Sequence, residues 1–173
     1  MIYGNKHVVF EQVGVDTDVY KWNSSDNKDD NDCINNYSIS KIRDNLNQTI
    51  IEYLSNDLQS ELVATTIQTA KNGNSSTLVS TTDKLFLQAF KEIGYTNGSV
   101  VAENDALTTW QYYTSHNTYS DHIKYNSNGV ASNWWCRSPN KNDQEYICYC
   151  SNSGSNSIVS AITNKYISSC FAW

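Results

Sequence analysis

The sequence predicts an α+β domain made of short, mostly antiparallel strands and two main helices. Three observations carry this expectation. The 173 residues suit one domain with a real core and are too few for two comfortable ones. Between Ser38 and Leu54, the residues Ile39, Ile42, Leu46, Ile50 and Leu54 recur at steps of three and four, the spacing of one helix face. Elsewhere β-branched and aromatic residues gather in short runs between polar turns, with no tandem repeat and no interdomain linker.

In chain order, His7 to Val13 mixes β-branched and aromatic residues and stops at Gly14, which predicts a strand and a turn. Val19 to Trp22 predicts a second short strand pairing with the first. The polar run from Asn23 to Asn36 has almost nothing to bury and reads as a surface loop. Ser38 is placed to cap the first main helix. Asp57 is placed to cap a short second one, whose Leu58 and Leu62 return the chain to the core. Leu62 to Thr69 turns β-rich, Lys71 to Ser76 is a loop, and Thr82 to Leu87 has the look of a buried strand. Leu107, Trp110 and Tyr113 lie at helical spacing within a helix expected over about Asn104 to Ser115. After Asn117, loops and short strands are expected. Tyr146 to Cys150 and Ser157 to Ile162 form a hairpin about the turn Ser151 to Ser155, centred on Gly154. A loop, Thr163 to Tyr166, leads to a terminal strand, Ile167 to Trp173.

Composition narrows the function classes. Asp and Glu number 18 against 12 Lys and Arg, a net charge of -6, with no basic cluster, so nucleic acid and anionic membranes are disfavoured partners. No stretch approaches the roughly 20 apolar residues of a membrane span. Met1 to Glu11 shows neither a basic leader nor an apolar stretch, so a cleaved export signal is not expected. The surface is built instead from uncharged polar residues, 22 Asn and 22 Ser, beside 12 Tyr.

Candidate chemistry is thin. Cys33, Cys136, Cys148, Cys150 and Cys170 are odd in number and lack CxxC spacing, so they read as reduced, small buried hydrophobes, with Cys148 and Cys150 on one face of a strand. Asp26, Asp29, Asp30 and Asp32 lack the glycine and closing glutamate of an EF-hand and read as a hydrated loop. His116 and His122, six residues apart, fit no compact metal spacing and read as surface histidines. There is no glycine-rich phosphate loop, GxSxG elbow or HExxH helix. No cofactor and no metal site is expected, and the chain is not expected to be an enzyme. In Asn133 to Asn140, NWWCRSPN, adjacent tryptophans would project to opposite faces, one anchoring the core. Arg137 is expected to order nearby carbonyls, with an anionic ligand as the alternative.

At this motif the chain resembles a family of bacterial and phage domains whose hallmark is Trp-Trp-Leu-Arg-Ser-Pro, here Trp134, Trp135, Cys136, Arg137, Ser138 and Pro139, with cysteine in place of leucine. Three further segments match in order: FEQVG at Phe10 to Gly14, SKIRDNLN at Ser40 to Asn47, and TTDKLFL at Thr81 to Leu87. The closing segment departs, since Tyr166 to Trp173 lacks the glycine and proline usual there.

The resemblance implies a single C-type lectin-like domain over 1–173, akin to formylglycine-generating enzymes but without their catalytic cysteine motif. It also implies similarity to the variable proteins of diversity-generating retroelements, whose adenine-directed mutagenesis alters a carboxy-terminal ligand-binding surface, mostly at AAY codons. Such codons yield Asn, Ser, Tyr, Cys, Ile and other residues, never Lys, Gln, Glu, Met or Trp. The stretch 140–163 is rich in the permitted set. The implied ligand-binding residues are Asn140, Asn142, Asp143, Tyr146, Cys148, Tyr149, Ser153, Ser155, Ser157 and Ser160, on a scaffold held by Trp134, Trp135, Arg137 and Pro139. The implied partner is a protein or glycan on a cell surface, and the implied setting is a phage virion or the bacterial cytoplasm or cell surface. Tyr, Ser and Asn suit that role, because they combine amphipathic contact area with adaptable hydrogen bonds. The alternatives are a calcium-dependent sugar binder, an enzyme on the same fold, or a structural module of a virion.

Overall fold

The β-prone runs of the second half pair into the main sheet. In the computed structural model of the chain the described residues are 2–3, 7–12, 14–15, 18–23, 35–70, 77–95, 103 and 107–173, with 2–3 and 7–10 described as backbone alone. The amino-terminal strands are β1 (Ile2–Tyr3), β2 (His7–Glu11) and β3 (Val19–Lys21). Then come β4 (Thr65–Ala70), β5 (Leu78–Asp83), β6 (Lys124–Tyr125) and β7 (Ala131–Ser132). The carboxy-terminal strands are β8 (Trp134–Pro139), β9 (Tyr146–Cys150), β10 (Asn156–Ser160), β11 (Asn164–Tyr166) and β12 (Cys170–Ala172). The main sheet runs β10-β9-β8-β11-β3, antiparallel except at β11 and β8; a second sheet runs β1-β2-β12. β4 with β5, and β6 with β7, form two-stranded ladders. The architecture is mixed α+β with mostly antiparallel strands and few helices, as the sequence predicts.

The pairing of β3 is a correction. It lies against β11, with Lys165 opposite Tyr20, and not against the strand at His7. β11 itself falls inside the expected loop Thr163 to Tyr166. β2 instead pairs with the terminal strand β12, so the two ends of the domain meet in one sheet.

The first main helix is shorter and less regular than its periodicity implies. Tyr37–Ile39 forms a 3-10 turn, and Ser40, not Ser38, caps α1 (Lys41–Asp44) through a 3.3 Å bond from the Arg43 N–H to its Oγ. The chain then widens into a π turn, Asn45–Thr49, and tightens into a 3-10 turn, Ile50–Tyr53. The Asn47 side chain explains the widening: its amide donates to the Arg43 carbonyl, the acceptor four residues back that a regular ladder would use, and also to the Leu85 carbonyl. Ile42, Leu46 and Ile50 are buried as expected, while Ile39, outside the helix, is 54% exposed. Ser55, not Asp57, caps α2 (Asn56–Glu61). The helix expected over Asn104 to Ser115 is confined among the described residues to α3 (Gln111–Ser115), preceded by the buried Trp110. Only Thr82 and Asp83 of the predicted strand Thr82 to Leu87 lie in a strand, β5; Leu85, Phe86 and Leu87 follow it as a buried segment, with Phe86 bridged to Cys170. Lys71 to Ser76, most of the Asn23 to Asn36 loop with its four aspartates, and Cys33 lie outside the described residues. No helix among the described residues is long and apolar enough to cross a membrane.

The tryptophans organise the core. Trp22, Trp134 and Trp135 are fully buried, and each indole N–H finds a carbonyl: Trp22 on Cys136, Trp134 on His122, and Trp135 on Tyr20 at 2.8 Å. Arg137 is fully buried too and grips Glu92 with both arms, at 2.5 and 2.6 Å. It also donates to the Leu87 and Gln68 carbonyls and to Thr69 Oγ1. Glu92 Oε2 accepts the Ala89 N–H, and Ser138 Oγ accepts the Phe90 N–H. The Arg-Ser pair of the motif thus ties the Leu87 to Glu92 segment and β4 to the main sheet, the carbonyl-ordering role expected of Arg137.

Candidate functional site

The β9–β10 hairpin is set by its turn. The Ser151 N–H bonds the Ser155 carbonyl at 2.8 Å, and Gly154 adopts φ +76°, a left-handed conformation that side chains disfavour. A Cβ there would also run into the Tyr119 carbonyl. The Gly154 carbonyl accepts from the buried Tyr95 hydroxyl, so the turn is clamped from both sides. Outside it, Ser151 Oγ lies 2.7 Å from Ser155 Oγ and 2.9 Å from Ser153 Oγ.

Strand alternation then assigns each residue a face. Ser157 lies opposite Tyr149, which lies opposite Trp135, and Val159 opposite Ile147, so these share one face. Cys148, Cys150 and Trp134 occupy the other, with Tyr146 and Ser160. On the first face Trp135 and Ile147 are fully buried, whereas Tyr149, Ser157 and Val159 are half-buried. Tyr149 stands edge-on to Trp135, ring centroids 6.5 Å apart. From β11, Lys165 reaches across β8 and places its Nζ 4.7 Å from the centre of the Tyr149 ring.

The implied binding residues therefore divide into groups. Tyr149 and Ser157 meet on the half-buried face. Tyr146 and Ser160 pair on the opposite face, both half-buried. Ser153 and Ser155 lie at the turn, and Asn142 and Asp143 are exposed at the far end of the hairpin. Two residues cannot serve as expected. Cys148 is fully buried, because its parity with Cys150 points it into the core. Asn140 is 1% exposed and holds the β8–β9 connection, its Oδ1 accepting the N–H groups of Asn142 and Asp143 at 2.8 and 2.9 Å. The scaffold residues Trp134, Trp135, Arg137 and Pro139 are all buried. Lys165 and Tyr20 were not anticipated on the face. The signal was present, since Lys165 alternates with Tyr166, but three residues read as loop carry no face assignment.

The described cysteines and His122 are enclosed by packing. Cys136, Cys148, Cys150 and Cys170 are free and buried, and burial pushes their thiols up, Cys150 to about 12. Such thiols are poor nucleophiles and poor metal ligands. His122 corrects the surface reading: it is 1% exposed and lies between the rings of Tyr95 and Tyr113, with centroids 4.4 and 5.0 Å away. Its two ring nitrogens face the Thr118 and Ile93 carbonyls at 2.8 and 2.6 Å. His116 is exposed and stacks on Tyr112. The Glu11 carboxylate is saturated, accepting from Lys124 at 2.7 Å, Gln88 at 3.0 Å and the Tyr113 hydroxyl at 2.9 Å. Among the described residues no group of three or more His, Cys, Asp or Glu is placed to hold a metal ion.

Comparison with curated proteins and with solved structures finds no match. Comparison with protein families does: residues 8–171 match the family described as a domain of unknown function, DUF6273. That match takes in β2 through β12, and with them the buried Trp-Trp-Cys-Arg-Ser-Pro strand and the hairpin it supports, so the chain belongs to the DUF6273 family.

Proposed function

We propose that the chain is a non-enzymatic recognition domain of C-type lectin-like fold, in which the face of the carboxy-terminal hairpin receives a protein or glycan ligand, and that it is a variable protein of a diversity-generating retroelement. One observation carries the binding reading: Tyr149, Ser157 and Val159 stand half-buried on a sheet face floored by Trp135 and Ile147, which are fully buried. Rigid aromatic and hydroxyl groups over an immobile floor give contact area at low entropic cost. The floor is held by β8, through the Trp135 indole bond to Tyr20 and the Arg137–Glu92 pair.

The test is a glycan and surface-protein array probed with the wild-type chain and with a Tyr149→Ala, Ser157→Ala double variant of unchanged melting temperature. Array signals that survive the double substitution would remove the hairpin face as the site. The diversification part is tested separately, by sequencing the surrounding genome: absence of a reverse transcriptase and of a near-identical template repeat ends it.

A further inference from the structure

The hairpin face holds three polar groups without a hydrogen-bond partner among the described residues. Lys165 is half-buried on β11, and its ammonium lies over the Tyr149 ring. Among the described residues no carboxylate pairs with it and no hydrogen bond engages it, and the same holds for the Tyr149 hydroxyl and Ser157 Oγ. These three groups come from three strands, β11, β9 and β10, and share one face of one sheet. A half-buried lysine whose ammonium meets no carboxylate among the described residues, in a chain of net charge -6, is open to an anion supplied from outside.

We propose that the face takes a carboxylate-bearing sugar of the uronic or sialic acid class, its carboxylate seated on Lys165 and its ring hydroxyls on Tyr149 Oη and Ser157 Oγ. This rests on the hairpin face being the binding site and names the ligand chemistry that the site selects. The cation asks for an anion, and the two hydroxyls ask for partners that both donate and accept, as sugar hydroxyls do. One cation matches one carboxylate. A run of carboxylates, as in an acidic peptide, would meet the repulsion of the net negative chain and find no second lysine among the paired positions of this face. Val159 beside Ser157 offers an apolar contact for the sugar's carbon face.

The experiment is calorimetry of the full chain with uronyl and sialyl oligosaccharides, their carboxyl-reduced counterparts, and an acidic peptide. Binding of a carboxylated sugar that weakens about tenfold or more on carboxyl reduction, and equally in Lys165→Gln, with recovery in Lys165→Arg, is the expected result. Reduction alters the ligand alone, so that arm stands even if a variant folds poorly. Equal binding of the reduced sugars, preference for the acidic peptide, or no binding of any carboxylated sugar overturns the proposal. If some other ligand binds and is lost in Tyr149→Ala but kept in Lys165→Gln, the face reading stands and only the carboxylate proposal fails. If a carboxylated sugar binds and neither substitution matters, the face reading fails with it.

Discussion

Glu103 is a carboxyl group buried beyond reach of solvent and beyond reach of a counter-ion of its own. It is fully buried; its Oε2 accepts a long bond, 3.4 Å, from the Ala70 N–H, the Ser138 side chain adds a hydrogen bond that favours the charged form, and Oε1 has no hydrogen-bond partner among the described residues. Arg137 lies near enough to favour the charged form, but both its arms are committed to Glu92, whose own charge opposes a second one. Burial dominates these opposing influences and lifts the Glu103 carboxyl from 4.5 to about 7. An acid with a raised native value binds its proton more tightly folded than unfolded, so the stability it supports is complete below about pH 4.5 and drains away as pH rises through about 7. The shift corresponds to roughly 3 kcal/mol at about 1.4 kcal/mol per unit. Glu103→Gln, which stays neutral, should remove that dependence: its unfolding free energy minus that of wild type should rise by about 2.5 kcal/mol between pH 5 and pH 8, the rest falling below pH 5. Urea unfolding followed by tryptophan fluorescence across that range measures the difference, with other carboxylates cancelling. A difference that stays flat, or falls, refutes the view of Glu103 as a buried neutral acid.

Arg137→Met should cost about 3–5 kcal/mol by stranding the buried Glu92 carboxylate, and the added Glu92→Gln exchange should restore part of it; a double-mutant cycle in urea reads both. Gly154→Ala should lower stability by about 1–3 kcal/mol from the left-handed backbone alone, with the Tyr119 carbonyl adding to it, measured as a fall in melting temperature. In a Cys33→Ser background the four buried cysteines should resist a thiol reagent at pH 8 and react together once denaturant unfolds the chain; one fast native thiol would contradict their enclosure. Cys148→Asn should cost about 1–3 kcal/mol by burying an amide, whereas Ser157→Asn, one strand position away in pairing and on the other face, should stay within about 0.5 kcal/mol.

The fold was legible where a pattern is local. Ile42, Leu46 and Ile50 announce a buried helical face, and Tyr146 to Cys150 with Ser157 to Ile162 announce a hairpin, whose second strand forms at Asn156 to Ser160. What escaped depends on contacts made far along the chain. Whether Ser38 or Ser40 caps the helix turns on the 3-10 turn at Tyr37, and the π turn turns on Asn47 reaching Leu85. β11 has three residues and partners at β3 and β8, neither visible from Asn164, Lys165 and Tyr166 alone. His122 sits in a polar stretch, yet Tyr95 and Tyr113 close over it. At the site, two readings of Cys148 competed. Its permitted codon set placed it on the binding surface, while its parity with Cys150 and the burial habit of free cysteine placed it in the core; parity decided.

That outcome bears on how a hairpin could be both scaffold and variable surface. On the core side Cys150 lies against Trp134 and the His122 carbonyl and Cys148 against the Pro139 carbonyl, where a change of size or polarity is felt by the whole packing. Tyr149 and Ser157 alternate with them and lie over Trp135, which is already satisfied by the Tyr20 carbonyl and owes them no hydrogen bond. Tyr146 and Ser160 are on the core side too, but at the hairpin's far end, where the face runs out to half-exposure. The positions free to change are therefore set by parity and by distance from the strand centre, and composition alone selects neither. A Ser- and Tyr-rich segment becomes a tolerant surface only where the strand turns those residues away from the side that Cys148, Cys150 and Trp134 occupy.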